Sequence, residues 1–205
     1  CDNPTLAITF STPLYDPAIH QRPALTSDVF LRILKMQLSY LFGQIDSAYE
    51  NIIETEKILE VAYGIPLIQE HHLYSALCLS DLIIQKPKVS KRIYMKKIKK
   101  SLKLYKKWAN VCPENFAAKY HLLKGKVLEI RQKYTSAQQC YHDAIRLVEA
   151  HGQIHVQAMA YERLANIKDH LNKHNDEPLL QKAIIAYTKW GATQKVKQLE
   201  SLLKD

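Results

Sequence analysis

Glycine is scarce in this chain, 5 of 205 residues, and the signatures that glycine builds are missing with it. There is no Asn-Gly or Asp-Gly dipeptide, no G-x-G-x-x-G, no G-x-S-x-G and no phosphate-cradling loop. Tight two-residue hairpins, dinucleotide-binding turns, nucleophile elbows and P-loops therefore lack their minimal parts. Cysteine is sparse too. Cys1, Cys78, Cys112 and Cys140 stand far apart with no C-x-x-C, which argues against a zinc ribbon or a disulfide framework and fits reduced thiols in a cytoplasmic setting. No run of eighteen apolar residues exists, so no membrane-spanning helix is expected. The start has no basic-then-apolar leader, and Cys1 reads as a cut edge inside a longer protein, the alternative being the first residue of a mature bacterial lipoprotein. The hydrophobic share of 47% is enough for a core that needs neither metal nor cofactor.

Acidic residues are missing from one long stretch. None occurs between Asp81 and Glu114, while residues 86 to 107 hold 11 of the 29 Lys+Arg, so the formal charge of +9 belongs to one segment. A single basic element of this kind points to a local contact with something anionic, or to a solvated helix face.

What is present is helical period. Residues 1 to 25 hold Pro4, Pro13, Pro17 and Pro23 and read as an irregular lead-in; residues 26 to 205 read as one helical-repeat domain. Val29, Ile33, Tyr40 and Leu41 keep helical spacing up to Gly43. A second helix is expected from about Ile45 to Tyr63, closed by Gly64, and a third from Pro66 to about Gln85, before the Lys86-Pro87-Lys88 break. In the basic segment Met95, Ile98, Leu102, Tyr105 and Ala109 step by threes and fours, with lysines on the remaining faces. Pro113 opens a fifth helix to about Lys133. Four more are expected near 136–150, 154–172, 178–189 and 192–203, broken by Gly152, His174-Asn175-Asp176 and Gly191. Nine helices with short connections and no strand pattern give an all-α fold of antiparallel hairpins, about nine helices in all.

An internal repeat favours stacking of those hairpins over closure as a bundle. Tyr134, Ala137, Tyr141 and Ala144 follow Y-x2-A-x3-Y-x2-A, and Ile45, Ala48, Ile52 and Thr55 follow the same offsets. Alanine at one face lets two helices approach closely, and the bulky residue four positions on is expected to fill the groove to the next hairpin. In the last hairpin the same offsets fall on Asp176, Leu180 and Ala183, which reads as an irregular repeat.

Four segments occur in matching order and spacing: Leu38-Ser39-Tyr40-Leu41-Phe42-Gly43; Leu73-Tyr74-Ser75-Ala76-Leu77; Lys107-Trp108-Ala109-Asn110-Val111-Cys112-Pro113-Glu114-Asn115-Phe116 with Lys119-Tyr120; and Tyr187-Thr188-Lys189-Trp190-Gly191-Ala192 with Lys195-Val196 and Leu199-Glu200. Together they resemble the tetratricopeptide-like helical region of large multidomain signalling kinases. In that family the region lies between a protein-kinase-like domain with an AAA-type signal-transduction ATPase and a GAF sensor, often with a histidine kinase or cyclase output. The resemblance covers about residues 26 to 203 and implies a tetratricopeptide-like superhelix, a protein partner and catalytic parts elsewhere in a longer chain. Gly125-Lys126 departs from it, standing where Ala-Glu is usual.

The candidate residues divide by role. Ala48, Ala137, Tyr141, Ala144, Trp108, Pro113, Phe116, Trp190 and Gly191 are repeat positions, with both tryptophans expected to pack over helix junctions. Lys91, Arg92, Lys96, Lys97, Lys99, Lys100, Lys103, Lys106 and Lys107 form the candidate interaction surface. Their scarcity of arginine and the lack of a DNA-binding motif argue against nucleic acid. His71-His72, His151/His155 and His170/His174 have no third ligand fixed by spacing. No catalytic, cofactor or metal residue is assigned. The expected function is a non-catalytic protein-interaction and relay module within a signalling ATPase or kinase; the alternatives are a polyanion-binding module acting through 86–107 and the helical-repeat arm of a transcriptional regulator.

Overall fold

A computed structural model describes residues 25–59, 66–86, 90–170 and 177–203. The proline-rich lead-in, Gly64, the Pro87 break, the 174–176 cluster and His174 lie outside the described residues. What is described is all-helical, nine helices packed as adjacent pairs. The chain divides into two compact units, one ending at Leu82 and the other beginning at Ile83.

The first unit contains α1 (Leu25–Leu41), α2 (Ile45–Glu56) and most of α3 (Leu67–Gln85). Val29, Ile33, Met36 and Tyr40 form the buried stripe of α1, and the Ile45, Ala48, Ile52, Thr55 row is buried on α2, as its spacing predicts. Between α1 and α2, Gly43 takes a left-handed φ of 75°, which frees the Gln44 N–H to donate back to the Ser39 carbonyl at 2.8 Å. Helix α2 stops at Glu56, short of the expected Tyr63; residues 60–65 lie outside the described set. Helix α3 is buried at every residue from Leu73 to Ile83, so its sequence shows no solvent face. Ser75 donates to the Met36 thioether at 3.4 Å, Tyr74 meets Tyr40 edge to face at 5.8 Å, and Cys78 Sγ donates to the Ile45 carbonyl at 3.6 Å. Burial, with Asp81 and Asp46 adding to it, pushes the Cys78 thiol up to about 12.

The second unit runs through α4 (Lys91–Val111), α5 (Pro113–Ile130), α6 (Tyr134–His151), α7 (Ile154–His170), α8 (Glu177–Trp190) and α9 (Thr193–Leu202). Each packs against the next in sequence. Two of the connections repeat the α1–α2 turn. Gln132, at φ 57°, and Gly191, at φ 85°, adopt the left-handed conformation, and the following Lys133 and Ala192 donate to the Leu128 and Tyr187 carbonyls at 2.9 Å. The left-handed Gln132 ends α5 at Ile130 rather than near Lys133, a stop that no glycine announces in the sequence.

Tyr141, Ala137 and Ala144 are fully buried on α6. The expectation that the bulky residue fills the groove to the next hairpin is corrected by the geometry within the α5–α6 pair. The Tyr141 ring lies on Gly125 of α5, where an added Cβ would sit 2.5 Å from the ring, and its hydroxyl donates to Glu129 one turn along. The last repeat keeps the centre of the unit one register later: Ala183 and Tyr187 occupy the offsets of Ala137 and Tyr141 and are fully buried, while Leu180 and the 41% exposed Trp190 stand at the offsets of Tyr134 and Ala144.

Candidate interaction surface

Helix α4 buries a narrow stripe. Ile98, Ser101 and Tyr105 are its only buried residues, with Met95, Leu102 and Ala109 half-buried beside them. At 3.6 residues per turn, Arg92, Lys96, Lys99, Lys100, Lys103, Lys106 and Lys107 fall within about 120° of the opposite side. All seven are exposed, and none of them makes an ion pair among the described residues. Lys91 is exposed in the first turn but points off this sector, and Lys97 is half-buried outside it. From Arg92 to Lys107 the basic face extends about 22 Å along the helix. Along one border run Ile93, Leu104 and Val111; Ile93 is 56% and Val111 80% exposed.

The C-terminal end of α4 is fixed by aromatic packing. Trp108 meets Tyr105 edge to face at 5.1 Å and Phe116 at 5.5 Å, while Tyr105 and Phe116 stand 6.1 Å apart. Cys112 ends one helix and precedes the next; its N–H donates to the Trp108 carbonyl at 2.8 Å, and Pro113 takes the first position of α5, where its missing N–H costs nothing. Trp108 thus packs over a junction, as expected. Trp190 does so only in part: it lies 5.6 Å from His155 at the start of α7 and 6.3 Å from Tyr187, and stays 41% exposed.

Three polar clusters escape the sequence reading. Lys126 is completely buried on α5, and its ammonium donates to Glu129 at 2.9 Å, so the carboxylate that receives Tyr141 is held from two sides. The second cluster has the same chemistry from different elements: Tyr187 of α8 donates to Glu162 of α7 at 2.7 Å, and Lys195 of α9 donates to the same carboxylate at 2.8 Å. The Gly125-Lys126 departure was the visible trace of the first cluster. Nothing marked the second, because Glu162 and Lys195 are 33 residues apart. The third is His121 on α5 with Asp143 on α6. Its Nδ1 stands 3.5 Å from the carboxylate without a hydrogen-bond partner, and burial pushes its pKa below the ordinary value against the opposing pull of Asp143.

Of the histidine pairs, His71 and His72 meet edge to face at 5.8 Å, with His71 buried. The side chains of His151 and His170 lie outside the described residues, as does His174. Among the described residues no three His, Cys, Asp or Glu come together as a metal-binding group, and no helix is long and apolar enough to cross a membrane. No protein-family model, curated protein or solved structure matches the chain significantly.

Proposed function

We propose that the chain is a non-catalytic protein-interaction and relay module within a larger signalling ATPase or kinase, its hairpins stacked as a tetratricopeptide-like superhelix. The observation that carries this reading is the recurrence of one packing unit. Ala137 with Tyr141 and Ala183 with Tyr187 are buried at the same spacing, each tyrosine reaching a glutamate on the preceding helix. Repeated hairpins of this kind add one to the next along a line and leave an open trough for a partner, and the stack can flex, so that binding biases the geometry of flanking domains. The segments resembling the signalling-kinase family support this reading, since in that family such a helical region stands between catalytic and sensor domains. Small-angle scattering tests the arrangement. A compact chain of this length has a radius of gyration of about 17 Å; a stacked array gives a larger value and a skewed pair-distance distribution. A symmetric distribution at the compact value overturns the reading.

A further inference from the structure

We infer that the exposed face of α4 is the docking site for an acidic amphipathic helix of a protein partner, lying lengthwise along it. The inference rests on the interaction-module reading and names where on the module one partner sits.

The face is more specific than solubility requires. A solvated helix side needs polar groups, not charges of one sign, and like charges three or four residues apart destabilise a helix while Glu–Lys pairs at that spacing support it. Here Lys96, Lys100, Lys103 and Lys107 step 4-3-4 along one line with no carboxylate between them. Among the described residues no carboxylate pairs with these ammonium groups, and an external anion would relieve the repulsion. The 4-3-4 step is the line one helix presents to another running beside it, and glutamates at matching positions of a partner helix would meet all four ammonium groups.

The border of the face separates a protein from other polyanions. Ile93 and Val111 are exposed and Leu104 is half-buried, in one row beside the lysine line. A partner helix with an apolar stripe next to its acidic stripe uses both rows. A nucleic-acid backbone uses only the cations, and the basic sector has neither an exposed aromatic for base stacking nor any arginine except Arg92 for base edges. A lipid surface would want a continuous apolar strip, whereas the true apolar face of α4, Ile98 and Tyr105, is already buried.

The test uses a fluorescein-labelled synthetic helix with leucines at its a and d positions and glutamates at e and g, titrated with the full chain at 0.15 M salt. A 24-base-pair DNA duplex and phosphatidylserine-containing vesicles serve as comparators. The expected result is saturable peptide binding, weakened about 30-fold by the Lys96→Glu, Lys100→Glu, Lys103→Glu, Lys107→Glu variant. The Ile93→Ser, Val111→Ser pair is expected to weaken it about fivefold. All six side chains are exposed or nearly so, and unchanged circular dichroism melts confirm that both variants fold; a Lys→Gln set at the same four positions replaces the reversal if its melt shifts. No peptide binding, or binding indifferent to the lysines, overturns the inference. So does DNA or vesicle binding as tight as the peptide's and insensitive to Ile93 and Val111, which would assign the face to a polyanion. Failure here beside an elongated scattering profile removes the α4 site and leaves the module reading standing.

Discussion

The α5–α6 and α7–α8 hairpins solve one packing problem with different parts. Each brings a tyrosine hydroxyl onto a glutamate of the preceding helix and neutralises that glutamate with a lysine. In α5–α6 the lysine comes from the same helix as the glutamate, one turn away, and is completely buried. In the other hairpin it arrives from α9, and both charged groups keep more solvent contact, 8% and 17% against 0% and 11%. The approach also differs. Gly125 lets the Tyr141 ring lie on the α5 backbone, whereas the position one turn before Glu162 is Ala158. The spatial arrangement of hydroxyl, carboxylate and ammonium recurs, while the residues that build it do not share a sequence spacing.

The comparison breaks most sharply at the lysines. Lys126→Met leaves a nearly buried carboxylate with only the tyrosine, and removing one partner of a buried pair costs about 3–5 kcal/mol. Lys195→Met leaves a wetter carboxylate and is expected to cost about half that, because solvent screens what remains. Urea unfolding of the two variants checks the order, and equal losses would mean that the two clusters are energetically alike. Adding Glu129→Leu to Lys126→Met should restore only part of the first loss, since apolar groups can replace the buried charges but the Tyr141 hydroxyl loses its carboxylate acceptor.

Gly125→Ala comes next in size. Alanine is the better helix former by about 1 kcal/mol, yet its Cβ would sit 2.5 Å from a ring that is fully buried and tethered at its hydroxyl. Overpacking of this kind costs about 1–3 kcal/mol, so net destabilisation is expected. In a Tyr141→Leu background the sign should reverse and the alanine should stabilise. Ala158→Gly in the other hairpin should lose about 1 kcal/mol of helix propensity and, because the methyl is completely buried, about 0.8 kcal/mol of apolar burial besides. Thermal melts of the three variants read this out.

Acid should also act on the α5–α6 hairpin through His121. The lowered pKa of His121 comes first from burial, then from Lys124 and Arg146, with Asp143 opposing. A base that holds its proton less tightly when folded supports the fold fully above its unfolded value of about 6.5 and loses that support as pH falls below it. Stability should therefore decline between pH 7 and pH 5 more steeply in the parent than in His121→Gln, measured by urea unfolding at each pH. A parallel decline in both would remove His121 as the cause.

Much of this architecture is legible in sequence because it depends on local spacing. Val29, Ile33 and Tyr40 on α1, Ile98 and Tyr105 on α4, and Ala137, Tyr141 and Ala144 on α6 are buried where three- and four-residue steps put them. Gly43, Gly152 and Gly191 mark left-handed ends, and Pro113 starts a helix. What stayed hidden depends on contacts between helices. Gln132 ends α5 without glycine, and Asp176 and Leu180 suggested a broken repeat because the register of α8 is set by Tyr187 meeting Glu162. Lys126 was visible only as a departure from Ala-Glu; its complete burial follows from packing between helices and not from the spacing on its own helix. The basic sector of α4 was legible as charge; that Ile93 and Val111 border it required knowing which stripe is buried.

The smallest expected effect sharpens the same contrast at the hairpin junctions. Gln153, between α6 and α7, donates to the carbonyls of Glu114 at 2.7 Å and Asn115 at 3.0 Å, tying that junction to the first turn of α5. These carbonyls sit where α4 hands over to α5, beside the Trp108 and Phe116 packing, so the side chain links the junctions that precede and follow the α5–α6 hairpin. Gln153→Ala should cost about 1 kcal/mol, the net worth of a partly exposed hydrogen bond set. Its more telling readout is local. Amide exchange at the Cys112–Phe116 turn should quicken while exchange in α8 and α9 stays unchanged, because the lost bonds reach only one hairpin back. Uniform acceleration through all six helices would mean that the junctions act as one cooperative body rather than as links in a row.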